Sequence, residues 1–110
     1  MNLFSASDLV YLSGPMTGIT DYNFPHFKQV EEMIIRDYDC RVLSPTQHIP
    51  DLDYEQYMIL DMTMVQISTH VLMLNGWQNS EGARLEKRYA EGLNKIIVFE
   101  SELENIHKIG

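Results

Sequence analysis

The sequence is short of several things at once. It has one cysteine, Cys40, so no disulfide can form within the chain. With no second thiol to pair, Cys40 reads as a small buried residue, and a reducing, cytoplasmic setting is expected. No apolar run approaches the roughly 20 residues that a membrane-spanning helix needs. The N-terminus lacks a basic region followed by an apolar stretch, so neither a membrane partner nor a signal peptide is expected. Basic residues are few: 8 Lys and Arg stand against 16 Asp and Glu, for a net charge of −8. No basic stripe remains to neutralise a polyanion, which argues against a nucleic-acid polymer as partner. The four histidines, His26, His48, His70 and His107, show no metal-ligand spacing, so no metal is expected. There is no GxGxxG and no Gly-Lys-Ser/Thr ending, hence no dinucleotide or ATP motif and no expected cofactor. Repeats, low-complexity tracts and linkers are absent too, and 110 residues suffice for one domain spanning 1–110.

What is present is an alternation of short apolar runs with amphipathic ones. The pattern predicts strands at Asp8–Ser13, Arg41–Ser44, His70–Leu74 and Lys95–Glu100. It predicts helices from about Asn23 to Asp37, from Tyr54 to about Ser68 and from Ser80 to Leu93, with a short closing helix at Ser101–Lys108. Asn23 or a neighbour is the expected cap of the first helix, whose first turn tolerates Pro25. Strands alternating with helices argue for an α/β fold, a parallel sheet covered on both faces. Such folds bind ligands beyond the carboxyl ends of the strands, where the strand order switches. The loops Gly14–Gly18 and Asn75–Gly82 follow the first and third strands, so both are expected on that edge.

Three side chains stand out as chemical groups. Glu86 lies one and a half turns into a helix that opens on Ser80-Glu-Gly82, directly after a strand. Free N–H groups and the positive dipole end of such a helix suit a phosphate, and a carboxylate just beyond suits attack on whatever that phosphate carries. Taken alone, Glu86 would be one more solvated glutamate. Asp61 sits among Leu60, Met62 and Met64, where burial costs several kcal/mol unless the group is hydrogen-bonded or functional. Tyr11 would fill core space in the first strand while its hydroxyl needs a partner. The helix 54–68 carries more apolar residues than one buried stripe requires, so a homo-oligomer formed through it is expected, with burial under the chain's own loops as the alternative.

Together these residues resemble a known pattern. Tyr11-Leu-Ser-Gly-Pro-Met-Thr-Gly18, Asp21-Tyr-Asn23, Tyr57-Met58 with Asp61, Gly76-Trp77 and Ser80-x-Gly82-Ala83-x-x-Glu86 look like the nucleoside 2-deoxyribosyltransferase-like superfamily. The resemblance runs from about Val10 to Val98 and is nearer to a small phage and prophage branch, which places the protein in a bacterial or phage-infected cell. It implies a Rossmann-like, flavodoxin-like parallel sheet of about four to five strands, assembled as dimers or higher oligomers. It implies that Glu86 attacks C1′ of a 2′-deoxyribosyl group and expels the base, that Asp61 holds sugar hydroxyls or assists proton transfer, and that Tyr11 orients the nucleophile. The implied substrate is a small nucleotide or nucleoside. Its phosphate would meet Gly14, Gly18, Ser80 and Gly82, with Pro15, Met16, Asn23 and Trp77 completing the substrate site. Two departures stand out. Thr69-His70 replaces a pair that is acidic in many relatives, and the first loop lacks an arginine, which leaves phosphate to backbone groups with Arg84 or Arg88. The short chain fits nucleotide N-glycosidases better than base-exchanging transferases. A non-catalytic nucleotide-binding module and an interaction protein with a vestigial site are the alternatives.

Overall fold

The computed structural model describes residues 3–47 and 50–103. Four strands form one parallel sheet: β1 (Leu9–Ser13), β2 (Arg41–Leu43), β3 (His70–Met73) and β4 (Ile96–Phe99), in the order β2-β1-β3-β4. Three helices connect them: α1 (Phe24–Tyr38), α2 (Tyr54–Ile67) and α3 (Glu81–Gly92). This is the expected α/β, flavodoxin-like architecture. Residues 100–103 are helical, and the remainder of the expected closing helix lies outside the described residues, as do His48 and His107.

Side-chain alternation along β1 divides the core in two. Val10 and Leu12 face α1, where they meet Phe27, Val30 and Ile34 together with Leu72, Leu74, Val98 and Leu103. Tyr11 faces the other way, packing with Val71 and Met73 of β3, Val65 of α2, and Ala83 and Ala90 of α3. The chain passes from β1 to β2 on one side, then returns to place β3 on the other. With crossovers of constant hand, that reversal puts α1 on one face and α2 with α3 on the opposite face. It also opens a crevice between the ends of β1 and β3.

The helix ends follow local chemistry. Asp53 and Gln56 form a reciprocal capping box at α2, with bonds of 2.8 and 3.0 Å. Ser80 Oγ accepts the Ala83 N–H at 3.1 Å and starts α3. Asn23 stands at the expected N-cap position of α1 but does not cap it with its side chain. Asn23 adopts a left-handed conformation at φ 65° and makes no capping bond. Its side-chain amide donates instead to the Pro15 carbonyl at 3.0 Å, tying the first loop to the start of α1. Asp21 and Tyr22 share the left-handed backbone, at φ 53° and 54°. A run of three such non-glycine residues is a strained turn.

The ends of β1 and β3 approach closely at Gly14. A Cβ there would lie 2.8 Å from the Leu74 Cβ. Gly76, at φ +90°, supports this contact by letting the chain turn beneath Pro15. Gly14→Ala is therefore expected to destabilise the protein by ~1–3 kcal/mol, as overpacking does, read as a lower urea midpoint at unchanged m-value.

Candidate active site

A cleft of about 850 Å³ opens at the carboxyl ends of β1 and β3. Its size is in the range that takes a small molecule. One wall is the first loop, Gly14 to Thr17, with Tyr22 and Phe24 beside it. Opposite stand Tyr54, Tyr57, Met58 and Asp61 of α2, with Pro45, Pro50 and Asp51 from the preceding segment. The first turn of α3, from Ser80 to Ala83, lies along the cleft, and Glu86 lines it one turn further on.

Glu86 occupies the face of α3 that packs on the sheet, between Ala83 and Ala90, and is only 6% exposed. The two alanines let the helix lie close enough to bring the carboxyl over the end of β1. There the hydroxyl of Ser13, itself fully buried, donates to Glu86 Oε1 at 2.6 Å. Asp61, 8% exposed, comes from α2 to the same spot. Burial is the main cause that pushes the Glu86 carboxyl up, to about 8, and the negative charge of Asp61 adds to it. The Ser13 hydrogen bond opposes both by favouring the ionised form.

Tyr11 lies beneath this group rather than in the cleft. Its ring is wholly buried, and its hydroxyl has no hydrogen-bond partner of good geometry. Burial first, then the nearby Glu86 and Asp61 charges, hold its hydroxyl well above the ordinary tyrosine range. Such an orphan is uncommon in a native interior and calls for an explanation.

Among the expected site residues, Glu86, Asp61, Gly14, Pro15, Met16, Ser80 and Gly82 line one cleft. Gly18, Asn23 and Trp77 do not line it. Gly18 permits a positive φ of 80° in the loop, and Asn23 braces that loop. Trp77 packs against Phe99 at 5.8 Å between ring centres, beneath Lys87 Nζ at 5.3 Å. The cations expected to help with phosphate are elsewhere too. Arg84 Nη1 donates to the Gln78 carbonyl at 2.6 Å, and neither Arg84 nor Arg88 reaches the cleft. His70 is structural in its contacts: Nδ1 meets Thr69 Oγ1 at 2.8 Å, and the ring stands edge-on to Phe4.

Ser13, Glu81, Asp51 and Tyr57 are additions to the site. Ser13 had a readable signal, since it is two residues after Tyr11 in a strand and must share its face. Tyr57 was visible as part of a motif, but the bond from Leu52 N–H to its hydroxyl at 3.3 Å depends on a loop path that sequence does not reveal. No cluster of metal-ligating side chains occurs among the described residues, and none of their helices is long and apolar enough to cross a membrane.

The raised Glu86 pKa makes stability depend on pH. A folded-state value of about 8 against an ordinary 4.5 means that the native state binds the proton more tightly. That contribution is complete below pH 4.5 and is lost as pH rises through about 8. Glu86→Gln imitates the protonated form, so its melting temperature is expected to match wild type near pH 4.5 and exceed it increasingly towards pH 9. Parallel melting curves across that range check the sign.

Comparison with known proteins bears on the fold and the family. No curated protein matches the chain in sequence. Among solved structures, a 2-desoxiribosyltransferase from Leishmania mexicana superposes with a TM-score of 0.69 at 18% identity. The match covers 84% of this chain and 63% of that one, so the chain spans less than two thirds of its neighbour's length. At that identity the likeness is one of fold. A family model described as a domain of unknown function, DUF4406, matches residues 8–99, and the chain belongs to that family.

Proposed function

We propose that the protein is an N-glycosidase that cleaves the base–sugar bond of a 2′-deoxynucleoside or its 5′-monophosphate through a covalent glycosyl–glutamate. The observation that carries this reading is the buried Glu86 carboxyl, held by Ser13 beside Asp61 on the wall of a cleft of small-molecule size. The fold shared with a deoxyribosyltransferase supports it.

The proposed chemistry uses the two carboxyl groups in separate roles. Glu86 passes its proton to Asp61 beside it and, now ionised, attacks C1′; the C1′–N bond breaks and its electron pair leaves with the base, which takes that proton from Asp61. Water then attacks C1′, the ester bond to Glu86 breaks, and Asp61 recovers a proton from that water. A second base in place of water gives deoxyribosyl transfer. Positive charge developing at C1′ favours the ionised form of Glu86 just when it is needed. Tyr11, whose hydroxyl lies beneath the carboxyl, is the donor that steadies ionised Glu86. The first-turn amides of Glu81 and Gly82 have no partners within α3, and both residues line the cleft.

Burial pushes the Glu86 carboxyl up to about 8, which also suits a binding module that captures the same ligand without cleaving it. The substrate terms therefore need a direct assay. Chromatography of protein incubated with each deoxynucleoside and deoxynucleotide is expected to show free base from wild type and at least a ~10³-fold loss in Glu86→Ala, the scale on which nucleophile removal acts. Full activity in that variant would remove Glu86 from the role. Retained ligand with no product would leave the binding module. Where base is released, kcat/KM is expected to fall as pH rises through about 8, where the carboxyl pair loses the proton that the leaving base needs, and Ser13→Ala to move that fall to higher pH because the carboxylate loses its donor.

The α2 face adds an assembly to the proposal. Tyr54, Ile59 and Ile67 are 67%, 65% and 57% exposed, and a second copy of the chain is proposed to cover them.

A further inference from the structure

We propose that the cleft selects an uncharged 2′-deoxynucleoside over its 5′-monophosphate, and that Glu81 is the residue that enforces the choice. The inference rests on the glycosidase reading above and names its substrate class.

A helix N-terminus in a cleft ordinarily invites a phosphate. At α3 that invitation is answered from within the chain. Glu81 is the first residue of the helix, is exposed and lines the cleft, so its carboxylate sits in the positive field of the helix end. The Ser80 hydroxyl is committed to the Ala83 N–H. Asp51, Asp61 and Glu86 place three more carboxyl groups on the same cleft.

No cation offsets them. The chain has 8 Lys and Arg, and none lines the cleft among the described residues, which leave out only Lys108 of the eight. The two basic residues nearest in sequence to the α3 start are held elsewhere. Arg84 is tied to the Gln78 carbonyl, while Lys87 lies over Trp77 and pairs with Glu91 at 3.1 Å. A nucleoside 5′-phosphate is close to a dianion at neutral pH. In this cleft it would meet like charge, with two amides against it. It would also oppose ionisation of Glu86, as Asp61 already does. A free 5′-hydroxyl has neither problem, because it donates to a carboxylate.

The test compares kcat/KM for base release from 2′-deoxynucleosides and their 5′-monophosphates, using wild type, Glu81→Gln and, as a surface control of equal charge change, Glu91→Gln. Calorimetric binding of both ligands to Glu86→Gln runs beside it. The expected result is a nucleoside preference of at least about tenfold in wild type, narrowed about tenfold by Glu81→Gln and unmoved by Glu91→Gln. That preference should weaken with salt, since screening acts on the exposed Glu81 charge. A monophosphate preference in wild type, or a ratio indifferent to Glu81→Gln, would overturn the inference and leave the glycosidase reading standing. No base from either substrate would instead sink the glycosidase reading. In that case calorimetry alone decides the charge selection: tighter nucleoside binding supports it, and tighter monophosphate binding, or none of either, overturns it.

Discussion

The Ser13–Glu86 hydrogen bond joins the last residue of β1 to the buried face of α3, and the arrangement around it follows from keeping a carboxyl group out of water at that point. An unpaired buried carboxylate is costly, so the group either keeps its proton or gathers donors. Ser13 supplies a donor, and the raised pKa shows that the proton is held as well. Ala83 and Ala90 have side chains small enough for α3 to lie near the sheet. Gly14, immediately after Ser13, allows the loop to leave β1 against Leu74. Enlarging any of these positions would move the carboxyl, which explains why small residues surround an ionisable one.

The strand order supplies the space in which that carboxyl is exposed to a ligand. Because β1 and β3 are neighbours whose outgoing connections run to opposite faces, the chain cannot close over the gap between their ends. Into that gap come α2 with Asp61 and the start of α3. Stability and chemistry pull in opposite directions there. A neutral Glu86 suits the fold, whereas an ionised Glu86 is what the proposed attack requires, and the balance between them is set first by burial and then by Asp61 and Ser13. The charge of the surroundings then acts on any ligand, since a site rich in carboxyl groups and, among the described residues, lined by no lysine or arginine accepts neutral and electron-poor groups more readily than anions.

Much of the fold was legible because its signals are local. The apolar runs placed all four strands to within about a residue. Ser80 was readable as the start of a helix, and the Ser-x-Gly turn with Glu86 at a fixed helical offset marked a carboxylate near a helix end. Asn23 takes the N-cap position that its residue type suits, yet its side chain is drawn to the Pro15 carbonyl across the loop. Trp77 sat in the right segment and the wrong direction: a 3₁₀ turn over Trp77–Asn79 sends the indole to Phe99, while Asn79 and Ser80 face the cleft.

The sequence by itself determined the alternation of strand and helix, the carboxyl-end location of the two glycine-bearing loops, and the shortage of positive charge. These depend on residue type and spacing along one chain. Only the tertiary structure decided which groups meet. Ser13 and Glu86 are 73 residues apart, and Asp61 reaches them from a third element. Their contact, the raised pKa that results, the orphaned Tyr11 hydroxyl and the removal of Arg84 to the Gln78 carbonyl all depend on how helices settle on the sheet. Packing fixes those positions by the summed fit of many small contacts, which no local pattern encodes.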